Sequence, residues 1–320
     1  MTQTLATYSL FAIYSAMAVY ALAFIAFTLD LARRAAPAPL MAQAQVGVAQ
    51  GGRTTALLER LTTDAPPPTT GRTTSRPLRV AMALTTLGWV LHVTADILRG
   101  IAAHRVPWAN MFEFSMTATA IVVGVFLVTQ FWQDLRWLGV YITGFVLILL
   151  GLATVNFYVD VSPLALSLQS YWLVIHVFVA SLGTGFFAIG AGLSIAQLLQ
   201  NRRETTGKGL SFLSTVPSAE KLENLAYRVI LIGFVFWTFT LIAGAIWAER
   251  AWGRYWGWDT KEVWTFIIWT IFAGYIHARA TRGWRGSRSA VLAIVGFGAV
   301  LFNFTIVNLF FHGLHAYSGL

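Results

Sequence analysis

Six histidines carry most of the chemistry open to this chain: His92, His104, His176, His277, His312 and His315. Cysteine is absent, so the chain has no thiol nucleophile, disulfide or thiolate metal ligand of its own. Any reacting thiol must come from a partner. The second concentration of unusual residues is the stretch "WGRYWGWDTKEVW", Trp252 to Trp264. Tryptophan favours membrane–water interfaces, where rings from several helix ends form a belt. Here Trp252, Trp256, Trp258 and Trp264 crowd one short segment, broken by Gly253 and Gly257. Glycine lets a backbone approach a ligand closely. The cluster suits a large, flat, apolar ligand, with Arg254, Asp259 and Lys261 available to its polar edge.

The elements that hold these residues follow from composition. The chain has 320 residues, 57% hydrophobic and 11% charged, with mean hydropathy +0.66. A soluble domain is about 25% charged. Eight apolar runs, near 8–31, 80–98, 111–131, 138–158, 171–199, 227–248, 263–281 and 290–311, are each long enough to cross about 30 Å of hydrocarbon. Strand-like alternation is missing, so the expected fold is an all-α polytopic membrane protein of about eight transmembrane helices. The net charge of +9 does not mark a nucleic-acid binder, because the basic residues cluster in loops between apolar runs. If the loop 32–79 is cytoplasmic, 17 Lys and Arg lie on that side and 5 on the other. That bias places both termini and the Trp-rich loop (249–264) outside the plasma membrane. The first run has no basic segment before it and no small-residue cleavage site after it, so it reads as a retained helix. The loop 32–79, with "APPPTTGRTTSRP", is too polar and Pro-rich to bury a core. "PSAEKLENLAYR" reads as a helix start leading into the sixth span. The resulting division is a first helix (1–31), a basic loop (32–79) and a seven-helix region (80–320).

Histidine within a membrane is a functional candidate, and neutral imidazole is a common axial ligand of heme iron. His176 falls at the outer end of the fifth span and His315 follows the last, both on the side of the Trp-rich loop. Two histidines flanking a Trp platform would make a bis-histidine heme site. His312 lies three residues before His315, and residue type alone leaves either as the ligand. His92 and His277 lie inside spans two and seven and are candidates for a second, deeper site. Their depths do not match: His92 is about 10 Å and His277 about 22 Å from the outer ends of their runs. Span two must run outward towards His104, or span seven must begin above the membrane, for the pair to share an iron. His104 itself reads as a solvated loop residue. Asp96, one turn after His92, either orients that imidazole or, the plainer reading, pairs with Arg99; Glu113 reads as structural.

"WGRYWGWDTKE" fits the tryptophan-rich signature W-G-x-x-W-x-W-D-x-x-E at Trp252, Gly253, Trp256, Trp258, Asp259 and Glu262. This signature belongs to the heme-handling proteins of cytochrome c biogenesis. The chain resembles their CcsA/ResC branch, in which some actinobacterial members carry the name CcsB, over about residues 80–320. "SYWLVIHV" resembles the family's first external-histidine segment and "GLHAY" its second, which assigns those roles to His176 and His315. "AGYIHAR" and "GWVLHVTADILRG" resemble its membrane-histidine segments, at His277 and His92.

The resemblance implies a heme-handling subunit of the System II cytochrome c synthase (a cytochrome c heme lyase). Heme b enters as substrate, ligated in transit by His92 and His277 and at the synthase site by His176 and His315. The loop residues Trp252, Gly253, Trp256, Gly257, Trp258, Asp259 and Glu262 hold the ring. The implied partners are a ResB-type subunit, an apocytochrome c with a C-x-x-C-H motif, and thiol-reducing thioredoxin-like proteins. Three alternatives are weaker. A b-type electron-transfer cytochrome usually carries two separated histidines in each of two helices, and no span here does. A heme chaperone or exporter of another maturation pathway fits the length and span count less well. A proton-coupled transporter using His92, Asp96 and Glu113 leaves the Trp-rich loop without a purpose.

Overall fold

The computed structural model describes residues 2–35, 75–161, 169–281, 283–311 and 313–315, and these residues form helices joined by short turns, with no strand among them. The helices are α1 (Thr2–Ala35), α2 (Arg76–Ala103), α3 (Met111–Thr129), α4 (Gly139–Asn156), α5 (Tyr171–Thr206), α6 (Ala219–Trp252), α7 (Thr260–Thr281), α8 (Ser287–Phe304) and the short α9 (Ile306–Phe310). Most of the basic loop, residues 36–74, lies outside the described residues, as does His312.

Local chemistry sets the ends of these helices. Ser75, Asn110, Ser170 and Ser218 each accept a backbone N–H of the first turn, at Leu78, Glu113, Trp172 and Lys221. Gly207 and Gly253 close α5 and α6 in the left-handed conformation, at φ +68° and +70°. Seven helical segments are long and apolar enough to cross a membrane, with α8 and α9 together forming one of them. The chain is a multi-pass membrane protein. Helix α7 fills the place of the remaining expected span. Its 22 residues reach about 33 Å, but with Lys261, Glu262, His277 and Arg279 it is not among the seven. The last expected span is interrupted at Thr305, where the hydroxyl turns back to the Leu301 carbonyl and α8 gives way to α9.

Helix α5 is the spine. It packs on α3, α6 and α8, while α1 and α2 form a pair buttressed by α4, and α7 lies on α6 and α8. Small residues allow the close approach: a Cβ on Gly190 would stand 2.5 Å from Ile230 Cγ1, and one on Gly233 2.9 Å from Phe187 Cδ1. At one end of the bundle the buried Glu223 accepts from Arg279 (2.5 Å), the Gly286 amide (2.9 Å) and Gln197 (3.4 Å), tying α5, α6, α7 and the α7–α8 turn together.

The opposite end holds a buried ion cluster. Glu113, wholly enclosed, accepts from Arg99 Nε (3.0 Å), Arg105 Nη1 (2.6 Å) and the Ala109 amide (3.0 Å). Arg99 also donates to the Val159 carbonyl at 2.6 Å. Thus Arg99 pairs with Glu113 and not, as the sequence spacing suggests, with Asp96. The i, i+3 neighbour on α2 loses to a carboxylate delivered by α3, and Asp96 accepts instead from Thr117 Oγ1 at 3.4 Å.

Candidate functional site

At the same end, α3 to α9 and the segment after α9 line a partly open cavity of about 210 Å³. His176 and His315 both line it. His176 Nδ1 lies 3.0 Å from the Thr240 carbonyl of α6. A carbonyl only accepts, so Nδ1 carries the proton and Nε2 keeps its lone pair. His315 Nδ1 lies 2.7 Å from Asp259 Oδ2, which imposes the same tautomer. Both imidazoles are therefore prepared as Nε2 donors to a metal, each fixed through its other nitrogen.

Asp259 is the N-cap position of α7, and its carboxylate accepts the Lys261 amide of the first turn. Glu262, at the third helical position, reaches back with Oε2 to the amides of Asp259 (3.1 Å) and Gly257 (2.8 Å). This is half of a capping box, and the Asp259 carboxylate keeps acceptor sites to spare beyond the cap. It accepts from the Leu314 amide (3.1 Å) and from His315, and the His315 bond holds its carboxyl below the usual range. Gly313 is required here, because a Cβ at that position would stand 2.0 Å from Asp259 Oδ1.

The aromatic rings divide into two groups. Trp247 and Trp252 pack around the histidines: Trp247 lies 5.8 Å from the His176 ring and 5.4 Å from that of His315, and Trp252 lies 4.8 Å from His315, between ring centroids. Trp256 and Trp258 meet edge to face at 5.8 Å and open toward solvent. Trp256 lines the cavity, whereas Trp258 is 78% exposed with φ +61°. The left-handed region costs a non-glycine residue about 1–2 kcal/mol. Strain of this kind concentrates at ligand-binding positions. Gly257 makes room for Arg254, whose guanidinium occupies the place a Cβ would take. Trp264 faces away from the loop cluster and packs on Phe302 at 4.3 Å.

A family model described as cytochrome C assembly protein matches residues 108–315. The cytochrome c biogenesis protein CcsA of Trieres chinensis is 31% identical over 274 residues, covering 74% of this chain and 88% of that protein. CcsA of Microcystis aeruginosa is 33% identical over 267 residues, 69% of this chain and 81% of its own. The chain belongs to the cytochrome c assembly protein family. Among its members it falls with the CcsA/ResC branch. Its fold is also that of a solved structure, cytochrome c heme lyase CcmF, with a TM-score of 0.64 at 16% identity over 94% of this chain. The chain spans 46% of the length of CcmF.

The stretch matched to the assembly family contains the whole loop with His176, His277 and His315, but not His92. The structure separates the other two histidines. His92 is completely enclosed on α2, with Nδ1 3.4 Å from the Tyr20 hydroxyl of α1 and Nε2 without a partner. His277 is exposed on α7. Helix α2 packs on α1, α3 and α4, and α7 on α6, α8 and α9, so the two histidines are not brought together. Helix α2 does run outward to Ala103, with the exposed His104 as its left-handed cap at φ +53°. His92 is thereby about 16 Å from that end, while His277 lies about 25 Å from the start of α7. Nor does Asp96 orient His92, whose hydrogen bond goes to Tyr20.

Several residues of the cavity wall escaped sequence reasoning. Trp247 resembles any apolar residue of a long helix, and only its spacing of five from Trp252 hints at a shared face. Gly244 lies one turn after Thr240; a Cβ there would stand 2.7 Å from His176 Cε1, so it is the gap in α6 that admits the imidazole. Asn303 and Asn308, from α8 and α9, carry no sequence signal at all.

Proposed function

We propose that this member of the assembly family holds heme b at the extracytoplasmic face, between His176 and His315 and against the Trp-rich loop. There it presents the ring, with a ResB-type subunit, for thioether attachment to a C-x-x-C-H apocytochrome c. The observation that carries this reading is the pair of imidazoles lining one cavity, each with Nδ1 bound to an acceptor and Nε2 left as a donor. Heme supplies the iron for those two nitrogens and the vinyl groups that react. The chain supplies position. Orienting reactants of a multi-body step can lower its barrier by about 7–11 kcal/mol. The absence of cysteine fits this division, since both thiols then belong to the apocytochrome. Thioredoxin-like proteins would keep those thiols reduced. The excess of Lys and Arg in the other set of loops supports an outward orientation of the site. His92 and His277 stand as candidate ligands on the route of entry, which requires a different arrangement of α2 and α7 from the one described.

The test is spectroscopic. The full chain, purified from heme-replete membranes with and without its partner, is expected to show a bis-histidine heme spectrum. His176→Ala and His315→Ala should each weaken or abolish it, and added imidazole should restore it. A stoichiometric heme spectrum unaffected by either change would move the site elsewhere and sink the reading.

A subtler variant separates site from scaffold. Gly244→Ala raises helix propensity, worth roughly 1 kcal/mol in α6, but drives a methyl group into His176. Thermal stability is expected to hold or rise while heme affinity falls about tenfold. Parallel melting and heme-titration curves check both halves.

A further inference from the structure

Lys261 is the one lysine or arginine among the residues lining the cavity. Its ammonium is partly buried and donates to the neutral Asn308 side-chain oxygen. No carboxylate among the described residues forms an ion pair with it. The two nearest acids in sequence make their hydrogen bonds elsewhere: Asp259 with His315 and the Leu314 amide, Glu262 through Oε2 with the amides of Gly257 and Asp259, while its Oε1 stays unpartnered on the same cavity wall. An ammonium has three donors, and one neutral acceptor satisfies neither the other two nor the charge. Charge held away from water without a carboxylate in contact is costly, and here, with Asp259 acting only across space, it faces a cavity that is mostly apolar. Beside it, Asn303 lines the same wall with its Oδ1 unpartnered.

We propose that Lys261 anchors a carboxylate of the ligand held between His176 and His315, and so acts as a positioning residue for that ligand. This rests on the heme reading given above. Iron protoporphyrin carries two carboxylates along one edge and two vinyl groups on the far side of the ring. Two axial imidazoles fix the iron but leave the ring free to turn about the axis between them. A cation fixed at one point of the wall removes that freedom. It holds the carboxylate edge at the α7–α9 side and directs the vinyl edge away from it. Lys261 therefore selects which edge an incoming thiol meets.

The experiment compares iron protoporphyrin IX with its dimethyl ester, which keeps the iron, the ring and the vinyl groups but has no carboxylate. Both are titrated into the full chain in detergent, following the Soret band. The wild-type chain is expected to bind the diacid about 10- to 100-fold more tightly than the ester. Lys261→Gln should bring that ratio close to one without changing the bis-histidine spectrum, and Lys261→Arg should restore most of it. An unchanged ratio in Lys261→Gln overturns the proposal. So does equal loss of both ligands, which would make the Lys261–Asn308 bond a structural tie between α7 and α9. If the wild-type chain binds neither porphyrin, the heme reading fails as well.

Discussion

Asp259→Ala is expected to weaken heme binding by about 10- to 100-fold, the usual cost of removing the group that orients a metal-bound histidine. The fold should survive, because Glu262 still ties the Gly257 and Asp259 amides to the first turn of α7, and the lost cap at the Lys261 amide costs about 1 kcal/mol. The change strips the segment after α9 of both its ties to Asp259, at Leu314 and at His315. The imidazole then loses its fixed tautomer and direction. Asp259→Asn, which retains an acceptor oxygen but not the charge, should fall between wild type and Ala. The double variant Asp259→Ala/His315→Ala provides the sharper check. If the carboxylate acts only through His315, the double variant binds heme no worse than His315→Ala alone, since residues acting as one unit are not additive. A further drop of the full single-variant factor would give Asp259 a separate role.

The largest effect on stability is expected at Glu113. Glu113→Ala leaves the guanidinium groups of Arg99 and Arg105 without their shared carboxylate, where Arg99 is 1% exposed. Breaking a buried pair by removing one partner costs about 3–5 kcal/mol. The folded chain should be recovered poorly, and what is recovered should melt well below wild type in detergent. Replacing the whole cluster (Glu113→Leu with Arg99→Met and Arg105→Met) removes charge and counter-charge together and should recover much of the loss. If the triple variant is no better than Glu113→Ala, the cluster matters for something other than its own charge balance. The hydrogen bond from Arg99 to Val159 and the ring contacts with Phe112 and Tyr158 are then the places to look.

The helices were legible in the sequence because apolar length is a local property. The six-residue Trp signature and the flanking histidines were legible because rare residue types at fixed spacing leave few alternatives. What could not be read was pairing across distance. Arg99 has Asp96 three residues away and Glu113 fourteen away, and chooses the second because α3 brings it alongside. Asp259 caps the helix beneath it and also serves a histidine 56 residues later. Trp247 looks like lipid-facing bulk until α5 brings Leu173 and His176 against it and the segment after α9 brings His315. The eighth span was read correctly as helical but not as broken, since Thr305 differs in no obvious way from the other threonines of the spans.

The two histidines are held by unequal means, and this has a kinetic consequence. His176 belongs to a helix of 36 residues and hangs from the backbone of a second, so withdrawing it means shifting two long helices. Among the described residues, His315 is held to the helical body by two hydrogen bonds to one carboxylate and by ring contacts with Trp247 and Trp252, and its release moves no long helix. Segments tied this lightly open at far lower free energy than packed helices do. An iron bound between the two would therefore have one long-lived bond and one short-lived bond. An incoming imidazole from an apocytochrome would trade places with His315, while His176 retains its hold until the product departs.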